Sequence, residues 1–428
     1  MPLFIRTPNL LQRLKQVLIA SPLERKRKLK RAAQIVARFP ILMFCFSPAL
    51  LVVLVVRIIR PIFLIRVEAF ICWRLGHFAG NTELYLCELD AGINKPKVPF
   101  LDIWYYPCAP CNHQLARMWN RVLYIGPANL FGLVRDINDF IPGGKVHQIG
   151  ENTNSDRDVN NLLDRYPPHL SFLPEEDKMG QEGLRSLGIP KGAPFVCLAV
   201  RDDAYLRNQS PHLDWSRHDY RDCDVQNYIL ASKKLTERGY FVVRMGAVVN
   251  TALKVEHPMI IDYATRGLRN DFMDVYLGAN CAFCISSTLG FDMIPISFRR
   301  PIVFVDCAPL ELLRTSSPSY LSTVKKYWLS EQERYMTAKE IFISGSGRFQ
   351  ATSDFKELKI ELFESTPQEI LEVVLEMDDR LKKQWKSTDE DEILQQQFFE
   401  LLPKISYHGE IRSRIGSDFL RKNQDWLV

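Results

Sequence analysis

The sequence predicts an α/β protein of two doubly wound, Rossmann-like domains facing across a cleft, with a hydrophobic anchor segment ahead of them. Three observations carry that expectation. Short continuous apolar runs, such as Phe195 to Val200, Tyr240 to Val243, Cys281 to Ile285 and Ile302 to Val305, have the length and composition of buried parallel strands. Helical patterns separate them, as in Tyr228 to Arg238, which Gly239 closes. Polar and charged residues gather where the apolar runs end, the place at which such sheets bind ligands. The chain has 428 residues, enough for about two or three domains.

Composition narrows the class. An apolar fraction of 46% and an aromatic fraction of 11% supply large cores and exclude wholesale disorder. The net charge is +5, concentrated in the run from Arg25 to Arg31 with Arg38 close behind, while the rest of the chain is near balance. That distribution suits a membrane surface and argues against a nucleic-acid partner. Ten cysteines in so long a chain do not make a disulfide framework, and several lie in apolar runs, so a reducing compartment is expected. Two CxxC spacings occur. Cys108 to Cys111 reads as a turn beside Pro107 and Pro110, and Cys281 to Cys284 falls in a presumed strand, where residues three apart face opposite sides.

In chain order, Ile41 to Val56 is apolar but short of the roughly 20 residues that span a bilayer. Basic residues on both flanks favour keeping both ends in the cytosol, and Pro48 allows a re-entrant hairpin. A peripheral or re-entrant anchor on the cytoplasmic face of the inner membrane is the expectation. A single span and a buried core helix compete with it. Phe63 to Trp73 reads as a strand, Arg74 to Gly80 as a small-residue turn, Asn81 to Leu89 as a helix, Pro99 to Tyr105 as a strand and His113 to Tyr124 as a helix. Connectors accumulate from Gly143 to Pro190, with breaks at Tyr166-Pro-Pro168 and Leu173-Pro174, and the interdomain segment is placed there. Met259 to Ile261 is a further strand and Asp271 to Leu277 a helix. Thr366-Pro-Gln-Glu369 is a capping box opening a helix with Ile370, Val373, Val374 and Met377 on one face. Asp389 to Asp391 reads as an acidic break before a last helix, Ile393 to Leu402. The expected domains are therefore an anchor over 1–61, a first α/β domain with linker over 62–190, a second over 191–375, and a helical tail over 376–428 packing back on the first domain.

The stretch from Ala279 to Asp306 organises the candidate site. After the apolar run come Ser286, Ser287 and Thr288, then Gly290 and a helical segment. A helix N-terminus there offers unpaired N–H groups and a positive dipole end to a diphosphate. The plain alternative is that the hydroxyls only cap the helix. Arg201, Arg244 with Gly246, and Asp262 also follow strands.

Two such halves with a phosphate site in the second match the layout of GT-B glycosyltransferases. Tyr220-Arg-Asp, Arg244-Met-Gly, Ser287-Thr-Leu-Gly-Phe and the closing Phe419-Leu-Arg-Lys-Asn-Gln-Asp-Trp426 together resemble an uncharacterised bacterial family of GT-B-type glycosyltransferases associated with surface-polysaccharide biosynthesis. The likeness covers most of the chain after about Phe63, and it is carried by the order and spacing of the motifs. It implies a nucleotide-sugar donor, a polysaccharide or lipid-linked acceptor, and no cofactor. Within that frame Arg201 and Arg244 would clamp the diphosphate, since guanidinium forks match phosphate oxygens. An arginine at a strand end equally pairs with an aspartate such as Asp202 or Asp222. Asp262 would accept from the donor's ribose or base. His77, expected at the tip of the first domain's opening strand, would take the acceptor's proton, with His218 and Asp219 as the rival pair. Asp222-Cys-Asp224 imitates a metal-binding DxD, but Asp224 precedes a helix and reads as its N-cap, so no metal is expected. A pyruvyl-type transferase on the same architecture and a membrane-anchored non-catalytic scaffold are the alternatives.

Overall fold

A computed structural model describes residues 46–149, 156–209, 211 and 213–427. Much of the anchor expectation, residues 1–45 with the basic run, lies outside them. In chain order the elements are helix α1 over residues 46–59, β1 (Leu64–Ala69), α2 (Leu75–Asp90), β2 (Phe100–Tyr105), α3 (His113–Val122), β3 (Tyr124–Ile125), α4 (Ala128–Phe140) and α5 (Pro174–Ser186). There follow β4 (Phe195–Ala199), α6 (Ala204–Gln209), α7 (Ile229–Glu237), β5 (Phe241–Arg244), β6 (Ile260–Ile261), α8 (Asp271–Asn280), β7 (Cys284–Ser286), α9 (Met293–Ser297), β8 (Ile302–Cys307) and β9 (Tyr320–Val324). Last come β10 (Lys326–Leu329), β11 (Arg334–Tyr335), α10 (Ala338–Ser344), α11 (Thr352–Glu357), β12 (Ile360–Phe363), α12 (Pro367–Leu381), α13 (Asp389–Leu401), β13 (Arg414–Ile415) and α14 (Ser417–Lys422).

The chain forms two compact units, each gathered from separated stretches. The first comprises Met1–Trp73, Gly92–Cys111 and Trp119–Thr153, the second Arg74–Ala91, Asn112–Met118 and Asn154–Val428. This division differs from the sequence expectation of contiguous domains. The segment after Arg74 and the first turns of α3 belong with the second unit, and the boundary near residue 190 has no counterpart.

In the first unit, β1, β2 and β3 form a parallel sheet in chain order. Arg66 and Asp102 are register partners across β1 and β2, and Arg66 Nε donates to Asp102 Oδ1 over 2.6 Å in a buried pair. Helix α1 belongs to this core. Its Ala49 and Val53 pack with Val67, Tyr105 and Val134, and the Arg57 guanidinium donates to Asn138 and to the carbonyls of Ile141 and Pro142. Removing residues 1–60 would therefore strip a wall from this core, so the helix is not a detachable anchor. Among the described residues no helix is long and apolar enough to cross a membrane. Cys108 meets Cys72, with sulfurs 3.5 Å apart, and burial pushes the Cys72 thiol up to about 12.

The second unit is built on a seven-stranded parallel sheet in the order β13-β9-β8-β7-β4-β5-β6. Its central strands are the apolar runs of the sequence. Val196 and Leu198 of β4, Val242 of β5, Ile285 of β7 and Val303 of β8 share a core with Leu235 of α7 and with Ile370, Val373, Val374 and Met377 of α12. Strand alternation sends Cys197 to the other side, where Cys281 at the end of α8 meets it. The capping box holds: Thr366 Oγ1 accepts from the Glu369 N–H at 3.2 Å, and Glu369 accepts from the Thr366 N–H at 2.8 Å. A small antiparallel sheet, β11-β10-β12, follows β9.

Several elements depart from expectation for identifiable reasons. Helix α2 starts at Leu75, so Gly76, His77 and Gly80 lie inside it and not in a turn. The small residues are there because α2 approaches the rest of the unit closely. A Cβ on Gly76 would meet Gly290 Cα at 3.0 Å, and one on Gly80 would meet Met293 Cε at 2.1 Å. The Leu173-Pro174 break is the start of α5, with proline in the first turn and the Glu176 carboxylate accepting from the Leu173 N–H at 2.8 Å. Asp389 to Asp391 are the first turn of α13, where acidic groups favour the helix dipole, and Thr388 caps it. The tail over 376–428 packs within the second unit: β13 pairs with β9, and the Ser417 N–H donates to Glu376 at 2.7 Å.

Candidate functional site

In the second unit the chain enters the sheet at β4, moves outward through β5 and β6, then returns to the other side of β4 at β7. Strand order thus reverses between β4 and β7, and in open α/β sheets the ligand crevice opens beyond the carboxyl ends at that point. The three strands of the first unit run in chain order without such a reversal.

Two turns meet at the reversal. The Ser287 N–H donates to the Ala199 carbonyl at 3.1 Å, and the Arg201 N–H donates to Ser287 Oγ at 2.7 Å, extending the β4–β7 pairing past the strands. Ser286 Oγ donates to the Asp292 carboxylate and accepts from the Thr288 N–H, while Asp292 Oδ2 accepts from the Leu289 N–H at 2.9 Å. Burial pushes the Asp292 carboxyl up to about 6, against the hydrogen bond from Ser286. Thr288 is held at φ +59°, a left-handed conformation that a β-branched residue rarely adopts. Ser286 and Ser287 are buried and spent on holding this turn, leaving Thr288 half-buried at its rim. The expected helix N-terminus is weaker than the sequence suggested. Gly290–Asp292 is a single 3₁₀ turn and α9 has only five residues, so little dipole accumulates.

Positive charge at the reversal comes instead from side chains. The Arg201 side chain is 11% exposed, and its Nε lies 3.1 Å from Asp222 Oδ1. That pair makes no hydrogen bond, and Nη2 has no hydrogen-bond partner among the described residues. Burial, then the neighbouring Arg221, push Arg201 below the usual guanidinium range. Arg221 Nη2 donates to the Thr288 carbonyl, tying the Tyr220-Arg-Asp motif to the β7 turn. His218 is held below its ordinary value by burial and then by Arg201, Arg221, Arg217 and Arg74. Opposite them, Asp222 is raised to about 6, first by burial and further by Asp203 and Asp219, against the pull of Arg201. Asp203, Asp219 and Asp222 offer oxygens within 4.8 Å of one another. Asp224 caps the next turn as expected, accepting from the Gln226 N–H at 2.9 Å.

His77 lies in the first turn of α2, whose start carries Arg74 and packs Gly76 on Gly290. It therefore joins the β7 turn within the second unit, not the tip of a strand in the first. Its Nδ1 is 3.3 Å from Asn81 Oδ1. With that oxygen as acceptor, the pairing is made by the Nδ1–H tautomer of the imidazole.

The β5 candidates are arranged differently. Arg244 is 1% exposed, with Nη1 donating to the Thr251 carbonyl at 2.6 Å and lying 3.2 Å from Asp262 Oδ2. Asp262 also accepts from the Leu253 N–H at 2.9 Å. The pair fastens the loop after β5 to the end of β6: Arg244 Nη1 and the Asp262 carboxylate are engaged by protein, while Arg244 Nε has no hydrogen-bond partner among the described residues. A Cβ at Gly246 would meet Val249 Cγ1 at 2.5 Å, which gives that glycine a packing reason. Gly290 has one too, facing Gly76. Arg221, Arg217, Arg74 and Asp222 were not singled out as site residues from the sequence, although the Tyr220-Arg-Asp motif contains two of them.

No family model matches the chain, and no curated protein matches it in sequence. Solved structures similar to it include a glycosyl transferase of family 9 from Veillonella parvula, with TM-score 0.36 and 11% identity over 66% of this chain and 89% of that one. The ADP-heptose lipopolysaccharide heptosyltransferase II of E. coli gives TM-score 0.30 and 15% identity over 56% and 84%. The iron-containing dodecameric glycosyltransferase TibC of enterotoxigenic E. coli gives 0.28 and 12% over 59% of each chain. Likenesses of this extent carry no argument about this chain's activity.

Proposed function

We propose that the chain is a glycosyltransferase that moves a sugar from a nucleotide-diphosphate donor to a surface-polysaccharide or lipid-linked acceptor, without a metal. The observation that carries this reading is Arg201: a nearly buried guanidinium at the strand-order reversal, with N–H groups lacking protein acceptors, among further arginines. A buried unpaired donor is costly, and an anionic ligand removes that cost. A diphosphate fits the charge and supplies planar-fork acceptors. Arg201 and Arg221, with the rim of the turn at Thr288 and Gly290, bind the departing diphosphate and stabilise the charge that develops on it. His77 Nε2 removes the acceptor hydroxyl's proton as the anomeric bond breaks. Ser286, Ser287 and Asp292 hold the turn in its left-handed geometry. Arg244, Gly246 and Asp262 brace the neighbouring loop.

Titration of nucleoside diphosphates, with and without divalent metal, tests the reading. Arg201→Ala is expected to weaken the best-bound diphosphate by ~1.5–3 kcal/mol, the scale of hydrogen bonds to a charged group. Arg201→Lys should recover only part of that, because it supplies charge without the fork. Equal affinity in the alanine variant would remove the site from the β4–β7 reversal. A strict requirement for Mg²⁺ would transfer the diphosphate-neutralising role to a cation that Asp203, Asp219 and Asp222 would hold.

A further inference from the structure

Helix α1 is apolar on both sides. Its inner side, Ala49, Val53 and Val56, is buried. At 100° per residue, the opposite side carries Leu51, Leu54, Val55 and Ile58, and Ile62 follows just beyond the helix. Leu51 is 62% exposed, Ile58 75% and Ile62 79%. No charged residue occurs from 46 to 56 to break that face. A solvent-facing helix normally shows polar residues there, so this face is built to be covered.

We infer that the outer face of α1 docks on an anionic lipid surface and lies along it. Packing is the first reason. The inner side is fixed to Val67, Tyr105 and Val134 of a folded unit, so only the outer half can enter lipid. That is the disposition of an interfacial helix, whose apolar face sinks to the headgroup–acyl boundary. Charge is the second reason. Arg57 and Arg60 follow the apolar face, Arg38 and the run from Arg25 to Arg31 precede it, and residues 32–56 contain no acidic residue. Arg57 is hydrogen-bonded to amide and carbonyl oxygens only, so its positive charge is not cancelled there. Basic flanks complement anionic headgroups, whereas a second copy would bring like charges together around the same face.

The test is co-sedimentation of the full-length protein with vesicles of phosphatidylcholine alone or phosphatidylcholine with phosphatidylglycerol, at low and high salt. The wild type is expected to bind the phosphatidylglycerol vesicles about tenfold or more tightly than the neutral ones, and to lose that advantage at high salt. Leu51→Glu with Ile58→Glu, both at exposed positions, should cut vesicle binding by about tenfold or more with the thermal unfolding profile and diphosphate affinity unchanged. Wild-type protein left in solution by phosphatidylglycerol vesicles at low salt overturns the inference without reference to any variant. Undiminished vesicle binding by the double variant overturns it too. A wild-type dimer that the double variant dissociates, with no vesicle binding by either, would assign the face to a second copy.

Discussion

His77→Ala is expected to lower kcat by about 10²- to 10⁴-fold, the range that a positioned general base contributes, while affinity for nucleoside diphosphate stays nearly constant. The separation follows from the roles. Arg201 and Arg221 hold the diphosphate whether or not the acceptor hydroxyl reacts, and His77 matters only as that proton leaves. Asn81→Ala should lower kcat less, since it removes the partner that sets the imidazole tautomer and leaves the base itself. Steady-state transfer measured beside diphosphate titration decides the matter. Near-normal turnover in His77→Ala would move the role to Asp219. A parallel loss of diphosphate binding would mean that the α2 packing on Gly290, not proton transfer, had been disturbed.

Arg244→Ala is expected to cost about 3 kcal/mol of folding stability, the lower end for removing one partner of a buried ion pair. The lower end applies because Asp262 keeps 14% side-chain exposure and the Leu253 N–H. Denaturant midpoints with matched m-values give the number. The double replacement Arg244→Met with Asp262→Asn should be milder than the arginine change alone, because it leaves no uncompensated charge. An unchanged midpoint together with weakened diphosphate binding would restore Arg244 as a ligand clamp.

These two residues show where the sequence is legible and where it stops. Apolar runs at β4, β5, β7 and β8 are read directly, because strands buried on both faces need no polar alternation. The α12 start is equally plain, since Thr366 and Glu369 act within one turn. Arg201 and Arg244, by contrast, look identical in sequence: each ends an apolar run. Both have an aspartate nearby; what separates them is that Arg244 Nη1 donates to the Thr251 carbonyl and to Asp262, brought close where β6 lies beside β5, whereas Arg201 Nε and Nη2 donate to nothing among the described residues. His77 fails in a related way. Gly76, Ala79 and Gly80 resemble a turn in composition, yet they are small so that a helix can press against a backbone met more than two hundred residues later. The β10–β12 sheet and the parallel edge strand β13 were not anticipated, because their short, partly polar strands are specified by pairing and not by their own pattern.

The contact between Gly76 and Gly290 also sets a timetable. During synthesis at about 5–20 residues per second, roughly 10–40 s pass between the emergence of α2 and that of the turn it packs against. Through that interval Phe78, Leu84 and Leu86, all buried in the finished unit, have no final resting place. The nascent chain must therefore carry an apolar helix on its flank well before the sheet that receives it exists. Chaperone dependence should be concentrated in that window, and slowing translation after β3 should lower the yield of folded protein more than slowing it after β9.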